Sequence, residues 1–509
     1  MGVKMDRRTF AKMVAGMMAA SSFPTQLQAH TPLGDKTSFL NELKDKPWLL
    51  GYLGTPEMEL HANLKVVSGR VPPNLEGHLF RNGPARHNIG PDRFMHWFDA
   101  PGMVQRFSFS GDTVTHHGRL INTARNSVET AAGEIQFTGF GTHGPDLTSG
   151  GSADAQSPAN ISLVEHAGEL LALWEGGSPH IINPETLQSE GRKSWSRETK
   201  GLPFGAHPRL DKDGSIWNVG YSVNPAALII YHISVNGQLL QTRVLPQTAT
   251  PMVHDFMITD TKIVIIAPPY NASNAQGEVF IDLFEWRNDQ PTQVLVIDKD
   301  NLSVVTQIEI EPFWVFHFGN AYDISTSEVG FDFVLHDDPS FMTQDAFAAM
   351  DGSWDGTASA ASRYVQARID LRTKTVLMES SPEFGQVEFI QTDARENLSL
   401  HRHALMLAQP GGKDAFGFGR LVLVDRETGN AASFDVGSTE ILEEHLIVPK
   451  SNDATDFWIM GTSLDWKNGT TNLSVYEGQH LSDGPIMKAE MDLALPLGLH
   501  GTFLQKKGG

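Results

Sequence analysis

Cysteine is absent from all 509 residues. That removes disulfides, thiolate nucleophiles and zinc–cysteine sites, and leaves the redox compartment unreadable from thiols. Basic residues are scarce, 39 Lys and Arg against 60 Asp and Glu, and the formal charge of −21 argues against a nucleic-acid partner. Beyond the N-terminal segment, no run approaches the roughly 18 apolar residues that a membrane span needs. Long periodic helices are also rare, with Phe39–Leu50 and Met342–Val365 the two best candidates. No clean repeat and no Pro/Gly/Ser linker divides the chain, so one large domain is expected.

Short strands rich in β-branched and aromatic residues fill the chain from about residue 65 onward, separated by tight-turn signals. Hairpin turns are expected at Ser110-Gly111-Asp112, Asp211-Lys212-Asp213-Gly214, Val235-Asn236-Gly237, Asp298-Lys299-Asp300-Asn301 and Asp425–Asn430. Asn, Asp and Gly tolerate the positive φ that such turns require. Many strands with no helices between them predict an antiparallel sandwich, barrel or propeller. The first 29 residues read differently. Lys4, Arg7, Arg8 and Lys12 precede the weakly apolar Met13–Ala20, and Leu27-Gln28-Ala29 supplies a small-residue cleavage signal. Paired arginines before such a segment predict twin-arginine export to a bacterial periplasm. The expected divisions are a signal peptide over 1–29, an N-terminal extension over 30–64 and the main β domain over 65–509.

Four histidines stand out by context. They occur in Gly205-Ala206-His207-Pro208-Arg209, Met252-Val253-His254-Asp255-Phe256, Trp314-Val315-Phe316-His317-Phe318 and Gly498-Leu499-His500-Gly501. Each lies in an apolar, strand-like phrase, and only a closed fold could bring all four to one point. Alternation places Met252, His254, Phe256 and Ile258 on one face, and Phe313, Val315, His317 and Gly319 on another. An interior imidazole needs partners for both nitrogens, because an unpaired buried polar group costs ~1–3 kcal/mol. A metal on one nitrogen and a carboxylate on the other would satisfy both. Four neutral imidazoles without a thiolate suit a borderline ion such as Fe2+. Glu175, Glu388 and Glu444 are the candidate carboxylates, each in apolar strand text.

Longer phrases carry a resemblance. Leu75–Pro84, His96–Val104, Leu171–Gly177, Ala206–Arg209 and Leu497–Phe503 resemble, in order and context, the carotenoid cleavage oxygenases across nearly the whole chain after the leader. The resemblance implies a seven-bladed β-propeller with a helical and loop dome over the metal face. It implies Fe2+ held by His207, His254, His317 and His500, with Glu175, Glu388 and Glu444 hydrogen-bonding three of those rings. Around Glu388 and Glu444 the text drifts: Ile390 follows Phe389, and His445 stands where the family usually shows proline.

By the same resemblance, the activity expected is dioxygenase cleavage of an alkene to two carbonyl products, with dioxygen and a lipophilic polyene as partners. Peripheral contact with the membrane that holds such a polyene is a further expectation. An apolar tunnel would be lined in part by Phe94, Trp97, Phe137, Phe140, Phe313 and Phe316. Family members that cleave hydroxystilbenes use a tyrosine and a lysine on early segments to engage the phenol. Here no tyrosine lies between Tyr52 and Tyr221, and no lysine between Lys65 and Lys193. The expected substrate is therefore a carotenoid or apocarotenoid, with a lignostilbene-type stilbene as the alternative. An iron-free periplasmic propeller acting as a binding module and a retinoid-ester isomerase are the more distant readings.

Overall fold

A computed structural model describes residues 33–145, 152–274, 277–410 and 416–506. The basic leader expected over 1–29 lies outside the described residues. Among the described residues, five antiparallel sheets have four strands each, and a sixth has nine. Blade one is Ser162–His166, Glu169–Leu173, His180–Ile182 and Ser189–Arg192. Blade two is Arg209–Leu210, Ile216–Ser222, Ala227–Ile233 and Leu239–Pro246. Blade three is Met257–Ile258, Lys262–Ala267, Thr292–Asp298 and Val304–Ile310. Blade four is Trp314–Ser325, Glu328–His336, Ser362–Asp370 and Thr375–Ser381. Blade five is Val387–Thr392, His403–Ala408, Arg420–Asp425 and Asn430–Asp435.

The nine-stranded sheet holds the last two blades and closes the ring. Blade six is Glu440–Pro449, Phe457–Asp465, Thr470–Glu477 and Pro485–Met491. Blade seven mixes chain ends: the C-terminal strand Gly501–Gln505 pairs with Gly77–Arg81, followed outward by Met103–Ser110 and Thr113–Leu120. Strand Glu59–Gly69 joins the two blades, pairing with Thr113–Leu120 through its first half and with Pro485–Met491 through its second. The propeller therefore begins at Glu59, inside the segment 30–64 expected as an extension.

Both faces of every blade are covered by neighbours, which explains strands that read as continuous apolar runs. Ile263 and Ile265 face blade two, while Val264 and Ile266 on the same strand face blade four. Period-two alternation so fills the space between successive blades. All five expected turns join consecutive strands, with Gly111, Gly214, Gly237 and Gly429 at positive φ.

The helices are short and gather with loops into a cap. Asp35 accepts from Thr37 N and Ser38 N to start helix Lys36–Asp45, whose Phe39 lies 3.6 Å beneath the Arg93 guanidinium. Arg93 also donates to Tyr52 O at 2.6 Å, tying helix, loop and the turn Pro47–Tyr52 together. The helix expected over Met342–Val365 is much shorter. A π turn at Phe341–Asp345 runs into helix Ala346–Asp351, which Gly352 ends at φ 88°. Ser362–Asp370 is then a strand of blade four, its propensity overridden by pairing with Glu328–His336.

Candidate metal centre

All four histidines reach the propeller axis from the innermost strands. His207 precedes Arg209–Leu210, His254 precedes Met257–Ile258, His317 lies within Trp314–Ser325, and His500 directly precedes Gly501–Gln505. Their ligand atoms lie within 4.8 Å of one another. Nε2 of His207 is 3.0 Å from Nε2 of His254, which is 3.4 Å from that of His317, which is 3.1 Å from that of His500.

Each of three rings has a carboxylate on its other nitrogen. Nδ1 of His254 donates to Glu175, that of His317 to Glu388 at 2.6 Å, and that of His500 to Glu444 at 2.8 Å. A proton held at Nδ1 leaves the Nε2 lone pair free. Three lone pairs therefore crowd one point where no hydrogen bond between them can form. Nitrogens 3.0–3.4 Å apart are the separation that ligands at ~2.1 Å from one ion subtend at angles of ~90–110°. The donor set fits a borderline divalent metal: neutral imidazoles, with no thiolate and no carboxylate in direct reach.

Burial, and then the facing rings of His254, His500 and His317, hold His207 well below the ordinary imidazole range, so it stays neutral. No carboxylate pairs with His207 among the described residues. His254 differs: burial pushes it down, but the Glu175 charge and hydrogen bond push harder, and it ends above the usual value. Burial raises Glu388 and Glu444, yet His317 with His336, and His500 with Arg81, bring both below the usual carboxylate range.

Local backbone devices aim these side chains. His317 sits in a bulge, where Phe316 and His317 together oppose Val334, between the pairs Val315↔Leu335 and Phe318↔Phe333. The extra residue re-aims His317, so it does not share a face with Phe313 and Val315, correcting the simple alternation. Glu388 and Glu444 stand at similar shifts in blades five and six. The drifted surroundings of these glutamates thus coincide with bulges, and Phe389 takes φ 56° in one of them. Every blade sends one side chain to the centre: Glu175 from blade one, the histidines from blades two, three, four and seven, Glu388 from five and Glu444 from six.

A third layer escaped the sequence reading. The Tyr221 hydroxyl donates to Glu175 Oε2 at 2.8 Å, and His336 Nε2 to Glu388 Oε1 at 2.9 Å. Gln391 and the amide of Gly501 donate to the two oxygens of Glu444 at 2.9 and 2.7 Å. Their only sequence signal was polarity inside apolar strand text, as in Val334-Leu335-His336. Beneath the cluster, Arg209 pairs with Asp255 and donates to Phe318 O at 3.1 Å and Gly319 O at 3.2 Å, joining blades two, three and four. A cavity of about 240 Å³ reaches the cluster there, lined by His207, His317, His500, Arg209, Gln391 and Asn320 among others.

Above it, aromatic rings lead away from His254. Phe316 meets the His254 ring edge-on at 5.4 Å, Phe341 follows at 5.8 Å, Phe98 at 6.2 Å and Phe140 at 5.9 Å. Phe98, Phe140 and Phe341 are half-buried. Of the expected lining, Phe316 and Phe140 belong to this row, and Trp97 is buried beside it, 5.9 Å from Phe98. Phe94 and Phe313 do not line it: Phe94 is fully buried in the cap, 5.2 Å under Arg125, and Phe313 packs on Phe333 between blades three and four. Phe137 is buried.

The family model described as retinal pigment epithelial membrane protein matches residues 54–505. The chain is 24% identical to an apocarotenoid-15,15'-oxygenase of Synechocystis over 90% of this chain and 96% of that one. It is 26% identical to lignostilbene-α,β-dioxygenase isozyme III of Sphingomonas paucimobilis over 86% of this chain and 92% of that one. The solved structure of cobalt-substituted Synechocystis apocarotenoid oxygenase superposes with TM-score 0.80 at 23% identity, covering 91% of this chain and 99% of the other.

Proposed function

The chain belongs to the carotenoid cleavage oxygenase family, and from that premise we propose that it is a ferrous-iron oxygenase that cleaves one alkene of a carotenoid or apocarotenoid into two carbonyl products. The observation that carries this reading is the convergence of four Nε2 atoms at 3.0–3.4 Å spacing. His207, His254, His317 and His500 would hold the ion, and a bound ferrous ion supplies the redox chemistry that directs dioxygen to a double bond.

The protein's own part is orientation and burial. Glu175, Glu388 and Glu444 fix three rings so that each Nε2 faces the axis. Phe316, Phe341, Phe98 and Phe140 remove an apolar chain from water, worth ~25 cal/mol per Å², and hold one double bond beside the centre. A polyene needs little else, being electron-rich already. A phenolic substrate would benefit from a base and a cation near its hydroxyl, and Leu120–Gly150 offers neither tyrosine nor lysine. The likeness to the Sphingomonas enzyme favours a hydroxystilbene as the second reading.

The test is anaerobic iron quantification followed by product mass spectrometry under labelled dioxygen, with polyenes and a 4-hydroxystilbene assayed side by side in micelles. About one iron per chain and two labelled or exchangeable carbonyl fragments from a polyene are expected. Cleavage of the stilbene with no turnover of any polyene overturns the substrate class and leaves the iron site standing.

Export through the twin-arginine route, with the iron loaded first and the folded enzyme meeting its polyene at a membrane surface, is part of the same proposal. It rests on Arg7 and Arg8 and the segment after them. Arg7→Lys with Arg8→Lys should strand active enzyme in the cytoplasm; unchanged periplasmic activity sinks the export reading.

A further inference from the structure

Glu59 and His61 lie two residues apart on strand Glu59–Gly69, so their side chains share one face. The neighbouring strand places His117 directly opposite His61, and Arg119 directly opposite Glu59. Opposed residues bring their Cβ atoms to ~4.5–5.5 Å, and here the two imidazoles lie nearly parallel, 4.3 Å apart with 15° between planes. Nε2 of His117 is 2.8 Å and Nε2 of His61 3.2 Å from the same atom, Glu59 Oε1. Arg119 occupies the other oxygen, donating to Oε2 at 2.8 Å.

We propose that Glu59, His61 and His117 form a second divalent-cation site, of zinc class, on the outer face of the seventh blade. Two imidazole nitrogens and one carboxylate oxygen lie within 4.8 Å of one another. Two imidazoles and one carboxylate are a donor set that zinc accepts, with a fourth position left for water. The His61 side chain is 66% exposed and that of Glu59 34%, so an ion enters from solvent and the His61 ring has room to turn its Nε2 toward it. Arg119 then serves as the outer partner of the ligating carboxylate. The other nearby cation, Arg106, is engaged by the carbonyls of Pro184 and Glu185 at 2.6 and 2.8 Å. This site shares no residue with the axial cluster and differs from it chemically in having a carboxylate ligand. Its place gives it a structural consequence. Strand Glu59–Gly69 bridges blades six and seven, and an ion shared by Glu59, His61 and His117 clamps that bridge onto blade seven.

The experiment titrates zinc into tag-free, iron-loaded protein by calorimetry, with iron content followed throughout, for the wild type, His61→Ala and His61→Ala/His117→Ala. The wild type should bind one zinc per chain more than the double variant, with iron retained, and only the wild type should melt higher with zinc. His61→Ala, altering an exposed side chain, should keep wild-type oxygenase activity and weaken zinc binding at least ~10-fold. Equal zinc isotherms for wild type and His61→Ala, or zinc uptake matched by iron release, overturn the proposal.

Discussion

Replacing His254 by alanine removes one of four converging nitrogens and leaves Glu175 facing an emptied pocket. The propeller core does not depend on it, so a folded protein with little bound iron and no turnover is expected. Full turnover at normal iron content would falsify the four-histidine centre. Glu175→Gln is subtler, keeping an acceptor but losing the charge that offsets the burial of His254. A loss of ~10–100-fold in iron affinity or rate is expected, with Tyr221→Phe milder because it frees only Glu175 Oε2. Wild-type affinity and rate in Glu175→Gln would assign Glu175 no positioning role. The four histidines were readable because each sits in apolar text where an unpaired imidazole makes no physical sense. Tyr221 and His336 were not, since a polar group that reaches a histidine of the cluster only through a carboxylate leaves no pattern along the chain.

Bulges do at the level of the strand what rotamers cannot. In blades four and six one extra residue on the inner strand turns His317 or Glu444 toward the axis, and in blade five the extra residue follows directly after Glu388, at Phe389 and Ile390. A period-two reading predicts strands and turns well but cannot locate a single inserted residue, because the inserted residue looks like its neighbours. The helix expected at Met342–Val365 failed for a related reason: Gly352 and the pairing of Ser362–Asp370 with its neighbour overrode local preference. Blade four has another device in the buried Asp332. It accepts from the amide of Asn320, the Tyr364 hydroxyl at 2.8 Å and His401 Nε2 at 2.9 Å. Burial pushes the Asp332 carboxyl up, but His401, Arg426 and the Asn320 amide bring it down to about 2. A carboxyl lowered in the folded state stabilises above its unfolded value of ~3.9, and the benefit fades as pH falls toward 2. Asp332→Asn should therefore cost on the order of 2 kcal/mol at neutral pH, with the gap from wild type narrowing between pH ~4 and 2. Urea unfolding across that range checks it; a gap independent of pH contradicts the account.

Across the whole ring, closure and metal site are one construction. The strand that seals blade seven, Gly501–Gln505, follows His500 directly, and its first amide binds Glu444 from blade six. With one side chain from each of the seven blades at the centre, an ion there ties the blades to one another at the point where they are closest. Binding that favours only the closed ring adds RT ln(1 + [L]/Kd), ~2.7 kcal/mol at 100 times Kd. Adding ferrous iron anaerobically to chelator-treated protein should thus raise the melting temperature in one cooperative transition rather than sharpen part of a broad one. In His500→Ala the blades remain but the link from the closing strand is gone, and most of that rise should vanish. An equal rise in His500→Ala, or separate melting of some blades in the iron-loaded wild type, would mean that the centre and the closure are independent.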